Sequence, residues 1–409
     1  MNKKKILNDP VYGFINIPNE LIFDIIEHPY FQRLRRIKQL GLTDLVYPGA
    51  LHTRFHHAIG AMHLMDKALT SLKGKGHEIS ADEHNASLLA ILLHDVGHGP
   101  FSHTLEFSLF RNIRHEQLSL WMMQRMNEQM DHQLDLAIRI FKGSYDRPFF
   151  HHLVSSQLDI DRLDYLKRDS FFTGVHEGMI GSERIIKMLE IHNGDLVVEE
   201  KGIYSVENFL NARRLMYWQV YLHKVAVSAE VMLIEIVKRA KELTQEGQAV
   251  QATPALSIFL ERNITLKDFE EDRDIIEIYS MLDDTDLWGS LKFWQNHDDF
   301  ILRTLSEMLL RRKLFGIEFH NNPIEQDLIE KLKARAVKTF KIQPDQSGYF
   351  VRQGSVSNSA YVATGQTINI LKKSGEVVDV AEATDLPNIK ALSQIVKKHY
   401  LCAPKSLYF

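Results

Sequence analysis

The apolar run Leu88-Leu89-Ala90-Ile91-Leu92-Leu93 ends in an adjacent histidine and aspartate, His94-Asp95, and Gly97 and Gly99-Pro100 follow at once. Six apolar residues in succession fit a buried helix, and the glycines and proline supply its end. Neighbouring side chains on a helix diverge by about 100° yet leave the same turn, so both can reach one ion where the helix stops. The same dipeptide could also be the polar last turn of a buried helix, forming hydrogen bonds and nothing more. Taken alone, the pair leaves both readings open.

Further groups favour a metal. Upstream lies Arg54-Phe55-His56-His57 and downstream Asp159-Ile160-Asp161-Arg162-Leu163-Asp164-Tyr165, so a histidine, a His-Asp pair and a later aspartate occur in that order. Two imidazoles and two carboxylates around one ion suit Fe, Mn, Zn, Co or Ni better than the all-oxygen shell of Ca²⁺, and Mg²⁺ keeps several waters. Such a site leaves positions for water and a phosphate oxygen. Arg54 stands three residues before His57, so on a helix the two share a face, and the arginine fork suits phosphate oxygens.

The chain resembles the HD-domain phosphohydrolases, and within them the deoxynucleoside triphosphate (dNTP) triphosphohydrolases. The stretches that carry the resemblance are Phe31-Gln32-Arg33-Leu34-Arg35-Arg36-Ile37-Lys38-Gln39-Leu40-Gly41, Pro48-Gly49-Ala50, Arg54-Phe55-His56-His57, His94-Asp95-Val96-Gly97-His98-Gly99-Pro100-Phe101-Ser102-His103, His115-Glu116-Gln117, the aspartate motif at 159–165, and Tyr221-Leu222-His223-Lys224. They run in order across most of residues 5–240 and are far more specific than four isolated ligands. The likeness extends to the bacterial dNTP hydrolases and to the catalytic core of the SAM-and-HD-domain enzyme.

Residue by residue, the resemblance implies metal ligation by His57, His94, Asp95 and Asp161. It implies a reaction in which a metal-activated water attacks the α-phosphorus of a dNTP, dGTP among them, releasing deoxynucleoside and inorganic triphosphate. Mg²⁺ would accompany the nucleotide. His98 and His103 match catalytic histidines, His103 for protonating the leaving 5′-oxygen and His98 for contacting phosphate, while Glu116 of His115-Glu116 would orient a catalytic histidine. Histidine, with an ordinary pKa near ~6.5, suits such proton transfer. Matching positions place Arg54, Arg162, Arg213, Lys224 and Tyr165 around the triphosphate, and Gln39, Asp169 and Tyr221 around deoxyribose and base. An aspartate on the 3′-hydroxyl with an aromatic ring at the 2′-carbon would exclude ribonucleotides.

The chain departs from that pattern at His56, where the SAM-and-HD-domain enzyme has an acidic residue, and at Tyr217, where it has a histidine. Nucleotide-activated relatives read guanine with an aspartate in the first helix; here the position is Glu27, with Gln32, Arg35 and the basic Lys5 as further matches to an allosteric nucleotide site. Assembly into dimers or tetramers is a further implication. The matches begin almost at the N-terminus, so no SAM-like domain is expected before them.

Composition agrees with a cytoplasmic enzyme. At 409 residues the chain exceeds what one core of ~250–300 residues usually holds, so a smaller second unit is expected. A single cysteine, Cys402, precludes an intramolecular disulfide. No apolar stretch approaches the ~18 residues of a membrane span, and after Met1-Asn2-Lys3-Lys4-Lys5 only Ile6-Leu7 are apolar, too short for a signal-peptide core. The net charge of −4, with basic residues dispersed, gives no global attraction to nucleic acid, which is not expected as a partner.

The pattern predicts a mainly α fold with short β-hairpins and a small C-terminal α+β unit, and the resemblance implies that the helical part is an HD-domain fold. Residues 1–340 would form the catalytic domain, with the HD core at about 50–170, and residues 341–409 the C-terminal unit. A hairpin is expected over 9–17, helices from 20 to 185 with breaks at Gly41, Gly60, 74–76 and 97–100, and a hairpin pairing 196–198 with 203–206. Helices then resume from Glu207 through Glu246 and, after a loop at Pro254, to about 337. Strands are expected at 349–351, 359–362, 368–371 and 377–380, and a last helix from Asn388 to Tyr400. Two other readings stay open: an HD hydrolase of a nucleoside monophosphate or cyclic nucleotide, and a nucleotide-sensing protein with weak catalysis.

Overall fold

A computed structural model of the chain describes residues 5–101, 105, 109, 113–358, 367–386 and 395–408. The N-terminal hairpin forms as β1 (Ile6–Asp9) and β2 (Gly13–Asn16), with Ile6 opposite Asn16. Asp9 builds the turn: its Oδ1 accepts from the Val11 and Tyr12 amides at 2.9 and 3.0 Å.

Helices then dominate, as the periodicity predicts. The break expected at Gly60 is absent, because α1 (Arg54–Gly74) runs straight through it. Glycine is needed there for packing: a Cβ would stand 2.0 Å from Arg168 Nη2 and 2.2 Å from Asp164 Oδ1 of α4 (Ile160–Thr173). Between them in sequence lie α2 (Ala81–Leu93), which carries the long apolar run, and α3 (His115–Gln129). Both faces of α2 near its end are buried, so its low amphipathicity reads as a core helix packed between α1 and the helix Asp135–Phe141.

A capping box anchors the start of α2. Ser80 Oγ accepts from the Glu83 amide at 3.1 Å, and Glu83 Oε2 accepts from the Ser80 amide at 2.8 Å. Glu83 Oε1 also accepts from Tyr145 at 2.8 Å and Arg147 at 2.7 Å. Burial would raise the Glu83 pKa, but the Ser80 amide, Arg147 and Tyr145 outweigh it and hold the carboxyl at about 2. A depressed carboxyl contributes stability that is full above its unfolded range and fades as pH falls through the folded value. Urea midpoints should therefore show Glu83→Ala less stable than wild type by about 1–2 kcal/mol at neutral pH. The gap should shrink as pH drops from 4.5 toward about 2. A gap independent of pH would assign the loss to packing rather than to the charge.

The expected pairing of 196–198 with 203–206 is replaced by a hairpin of β3 (Leu189–His192) and β4 (Asp195–Glu199). Asn193 and Gly194 take φ of +52° and +85°, the left-handed pair that a two-residue turn requires. Ile203 instead opens α5 (Ile203–Met216). A π-helical turn over Tyr217–Tyr221 separates α5 from α6 (Lys224–Gln245). Pro254 is not in a loop but at the first position of the helix Pro254–Glu261, where its missing N–H costs nothing.

Further corrections fall near the C-terminus. A strand, β5 (Gly316–His320), interrupts the helices expected up to 337. Residues 344–349 form a 3₁₀ turn, and β6 starts only at Arg352 (Arg352–Asn358). The strands near 370 and 378 form as β7 (Asn369–Leu371) and β8 (Val377–Asp379). The end of the expected last helix, 396–400, is strand instead: β9 (Val396–Ala403) runs between β5 and β6, so pairing on both edges overrides the helical pattern there. The strand expected at 359–362 and the helix expected over 388–394 lie outside the described residues. β7 joins β4 in parallel, Ile370 opposite Val198, so strands after 341 complete sheets begun before it. Among the described residues, no helix is long and apolar enough to cross a membrane.

Candidate active site

His57 projects from the first turns of α1 and is fully buried. Its Nδ1 lies 2.8 Å from Asp164 Oδ2, and His94 Nδ1 lies 2.6 Å from the Ile91 carbonyl. Both partners can only accept, so each Nδ1 carries the proton and each Nε2 is turned to the opposite side. There Asp161 Oδ1 stands 3.1 Å from His57 Nε2 and 3.4 Å from His94 Nε2. Asp95 closes the group, Oδ2 3.9 Å from His57 Nε2 and Oδ1 3.4 Å from His94 Nε2. Neither Nε2 makes a hydrogen bond of acceptable geometry, although both atoms are buried.

Two imidazole lone pairs facing carboxylate oxygens repel unless positive charge lies between them, so the set fits a divalent transition metal. The proton affinities agree. Burial lowers the His57 pKa, but Asp161 and Asp164 outweigh it and hold it up to about 10; His94 is raised against burial by Asp95 and Asp161. Asp161 is pushed down, against burial, by His57 and His94.

Behind His57 lies a buried ionic chain. Arg168 Nε and Nη2 donate to Asp164 at 2.9 and 3.1 Å, and its Nη1 donates to Asp9 Oδ2 at 2.7 Å. A carboxylate behind a ligating histidine fixes its tautomer and raises its basicity.

The turn after α2 needs Gly97, because a Cβ there would stand 2.1 Å from the Ser119 amide and 2.5 Å from the His115 carbonyl. This close crossing brings α3 over the turn, and the His98 and His115 rings stack with centroids 3.8 Å apart. His98 Nε2 lies 3.1 Å from Asp95 Oδ1, and burial together with Arg54 holds its pKa well below the ordinary histidine value. Arg54 Nη1 donates to Asp95 Oδ2 at 2.5 Å. Glu116 is mostly exposed, its carboxylate 3.6 Å from His115 Nε2, and His103 lies outside the described residues.

A cavity of about 520 Å³ opens from this group, lined by Asp95, Asp161, His98, His115, Arg54 and Arg162 on the metal side. Gln39, Tyr165, Asp169 and Tyr221 line it as well. Asp169 is held from both sides: His52 Nε2 lies 2.7 Å from Oδ1, and the Tyr221 hydroxyl donates to Oδ2 at 2.8 Å. Arg162 pairs with Asp159, the N-cap of α4. Arg213 does not line the cavity; it is buried, with Nε and Nη1 making no hydrogen bond among the described residues, 6.0 Å from the Tyr217 ring centroid. Lys224 opens α6 as an exposed residue, also off the lining.

The four residues matched to an allosteric nucleotide are not part of this cavity. Arg35 donates to Gln32 Oε1 at 2.9 Å and covers the Phe55 ring at 3.6 Å, Lys5 Nζ sits 3.3 Å over Phe23, and Glu27 is exposed at a helix end.

Asp164, Arg168, Asp9, His52 and Glu230 went unassigned in the sequence. The i, i+4 spacing of Asp164 and Arg168, with Asp164 three residues after Asp161, was a usable signal for one polar face turned inward. Asp9 and His52 gave none, because their partners lie 159 and 117 residues away.

A family model described as the HD associated region matches residues 180–258. The fold superposes on a crystal structure of a phosphohydrolase from Bacteroides thetaiotaomicron with a TM-score of 0.95 and 51% identity, covering 98% of this chain and 100% of that one. The uncharacterized protein YwfO of Bacillus subtilis is 36% identical over 333 residues, 79% of this chain and 74% of YwfO. The deoxynucleoside triphosphate triphosphohydrolase SAMHD1 homolog of Dictyostelium discoideum is 31% identical over 259 residues, and the match spans 58% of this chain and half of that protein. Joined to a buried His/Asp cluster that fits a divalent metal, these likenesses establish that the chain belongs to the HD-domain phosphohydrolase family.

Proposed function

We propose that this phosphohydrolase is a dNTP triphosphohydrolase, cleaving a dNTP to deoxynucleoside and inorganic triphosphate. The observation that carries the reading is that one cavity is lined by Asp95 and Asp161, by Arg54 and Arg162, and by the hydrogen-bonded Asp169–Tyr221 pair. Those groups supply what the metal, the phosphates and the sugar of a nucleotide each require. A divalent transition metal held by His57, His94, Asp95 and Asp161 would supply Lewis acidity to a phosphate oxygen and acidify a bound water. Arg54 and Arg162 bind phosphate oxygens, His98 contacts phosphate, and His115 with Glu116 steadies the neighbouring histidines. Asp169 accepts the 3′-hydroxyl, and the Tyr221 ring fills the space a 2′-hydroxyl would need.

His103 is assigned as the acid for the leaving 5′-oxygen. His103→Ala should therefore retain the metal and substrate affinity while kcat falls by ~10²–10⁴; unchanged kcat would remove His103 from that role. The reaction itself is tested by purifying the protein without chelators, measuring its metal content, and incubating it with each dNTP and NTP, singly and mixed, with Mg²⁺ or Mn²⁺. Deoxynucleoside plus triphosphate in equal amounts is the expected product, with ribonucleotides left intact. Metal-loaded protein that hydrolyses no dNTP would overturn the assignment. Mixtures also read out an activator at Lys5, Glu27, Gln32 and Arg35, and sedimentation reads out the dimer or tetramer.

A further inference from the structure

Glu230 lines the same cavity and has no assigned role. It lies on α6, which carries none of the metal-side residues and packs against the Gly41–Leu45 turn, whose Gly41 and Thr43 also line the cavity. The acids buried in the interior have counter-charges or donors. Glu235 faces Arg352 at 2.9 Å, Asp164 is held by Arg168, and Asp169 by His52 and Tyr221. Glu230 forms no ion pair or hydrogen bond among the described residues, and burial alone pushes its carboxyl up to about 7. A lone carboxyl withdrawn from water destabilises the free protein, so one in a cavity wall points to a partner in the ligand.

Charge and chemistry decide which part of the ligand that is. A carboxylate repels a triphosphate, and Arg54 and Arg162 draw the phosphates to the metal side. Glu230 is therefore left to the base, in a lining that also holds the apolar Leu40 and Leu222. Hydrogen-bond donors on a ligand would hold Glu230 in its charged form, and a carboxylate only accepts hydrogen bonds. Guanine alone among the four bases presents two adjacent donors, N1–H and the N2 amino group, on one edge. Adenine and cytosine set a donor beside an acceptor, and thymine flanks its one donor with carbonyls. From this match we infer that Glu230 is a specificity-determining residue that accepts from guanine N1–H and N2–H, giving the enzyme a preference for dGTP. The inference rests on the dNTP reading of the cavity.

Deoxyinosine triphosphate, dITP, lacks only the N2 amino group and isolates the contact. Wild type should turn over dGTP with a kcat/KM at least ~10-fold above dITP, the usual worth of a charge-assisted hydrogen bond. In Glu230→Gln that ratio should fall toward one. The variant should melt no lower than wild type, since it removes a carboxyl without a partner. Thermal shifts with deoxyguanosine and deoxyinosine read the same contact without turnover. A dGTP to dITP ratio and nucleoside shifts unchanged in Glu230→Gln would overturn the assignment. If wild type hydrolyses no dNTP, the functional reading falls on its own account. Equal shifts with the two nucleosides would then overturn the Glu230 assignment separately.

Discussion

Asp161→Ala is expected to emerge from a chelator-free purification with its divalent metal lost and its phosphohydrolase turnover reduced more than ~100-fold. Even partners behind a metal ligand are worth 10–100-fold in affinity or activity, and Asp161 stands in front. Its Oδ1 lies within 3.1 and 3.4 Å of two histidine Nε2 atoms, so it is the group on which the other donors converge. Removing it subtracts a charge as well as an oxygen. Elemental analysis and turnover measured on the same preparation check both halves, and Asp161→Asn separates charge from shape. Full metal content with full turnover in Asp161→Ala would place the catalytic ion elsewhere.

Arg168→Met should cost about 3–5 kcal/mol of stability, because it leaves Asp164 and Asp9 buried without their common counter-charge. Both carboxylates lie in the interior, Asp164 0% and Asp9 5% exposed, with Arg168 the arginine that joins them. The chain also fastens β1 to α4, so its loss should loosen the hairpin and the His57 support together. Urea unfolding measures the cost, and adding Asp164→Asn should recover part of it by removing one unpaired charge. A loss below about 1 kcal/mol, the worth of a surface pair, would show that water reaches the site. Gly60→Ala should be damaging for a related reason, since its Cβ would occupy the place of the Asp164–Arg168 pair.

The likeness of family was legible because its signals are local. The apolar run over 88–93, its glycine stop and the His-Asp pair form one continuous helix-to-turn segment, and the structure builds it as α2 with His94 at its C-cap. The mistaken hairpin at 196–206 had its correction in the sequence: Asn193-Gly194 is the stronger turn signal, and both residues take the positive φ it implies. Gly60 misled in the opposite way. A glycine inside a helix reads as weakness, and only the approach of α4 shows why no side chain fits. β9 was read as helix because its pattern is ambiguous alone; pairing with β5 and β6 decides it.

By itself the sequence determined the helical fold and the order of the residues that form the His/Asp cluster, since capping, apolar periodicity and motif spacing act over a few residues. Tertiary structure alone decided that Asp164 and Arg168 stand behind His57, that His52 holds Asp169, and that Glu230 lines the cavity without a partner among the described residues. Those relations join residues up to 159 positions apart, and whether a buried charge finds a counter-charge depends on which helices pack against each other.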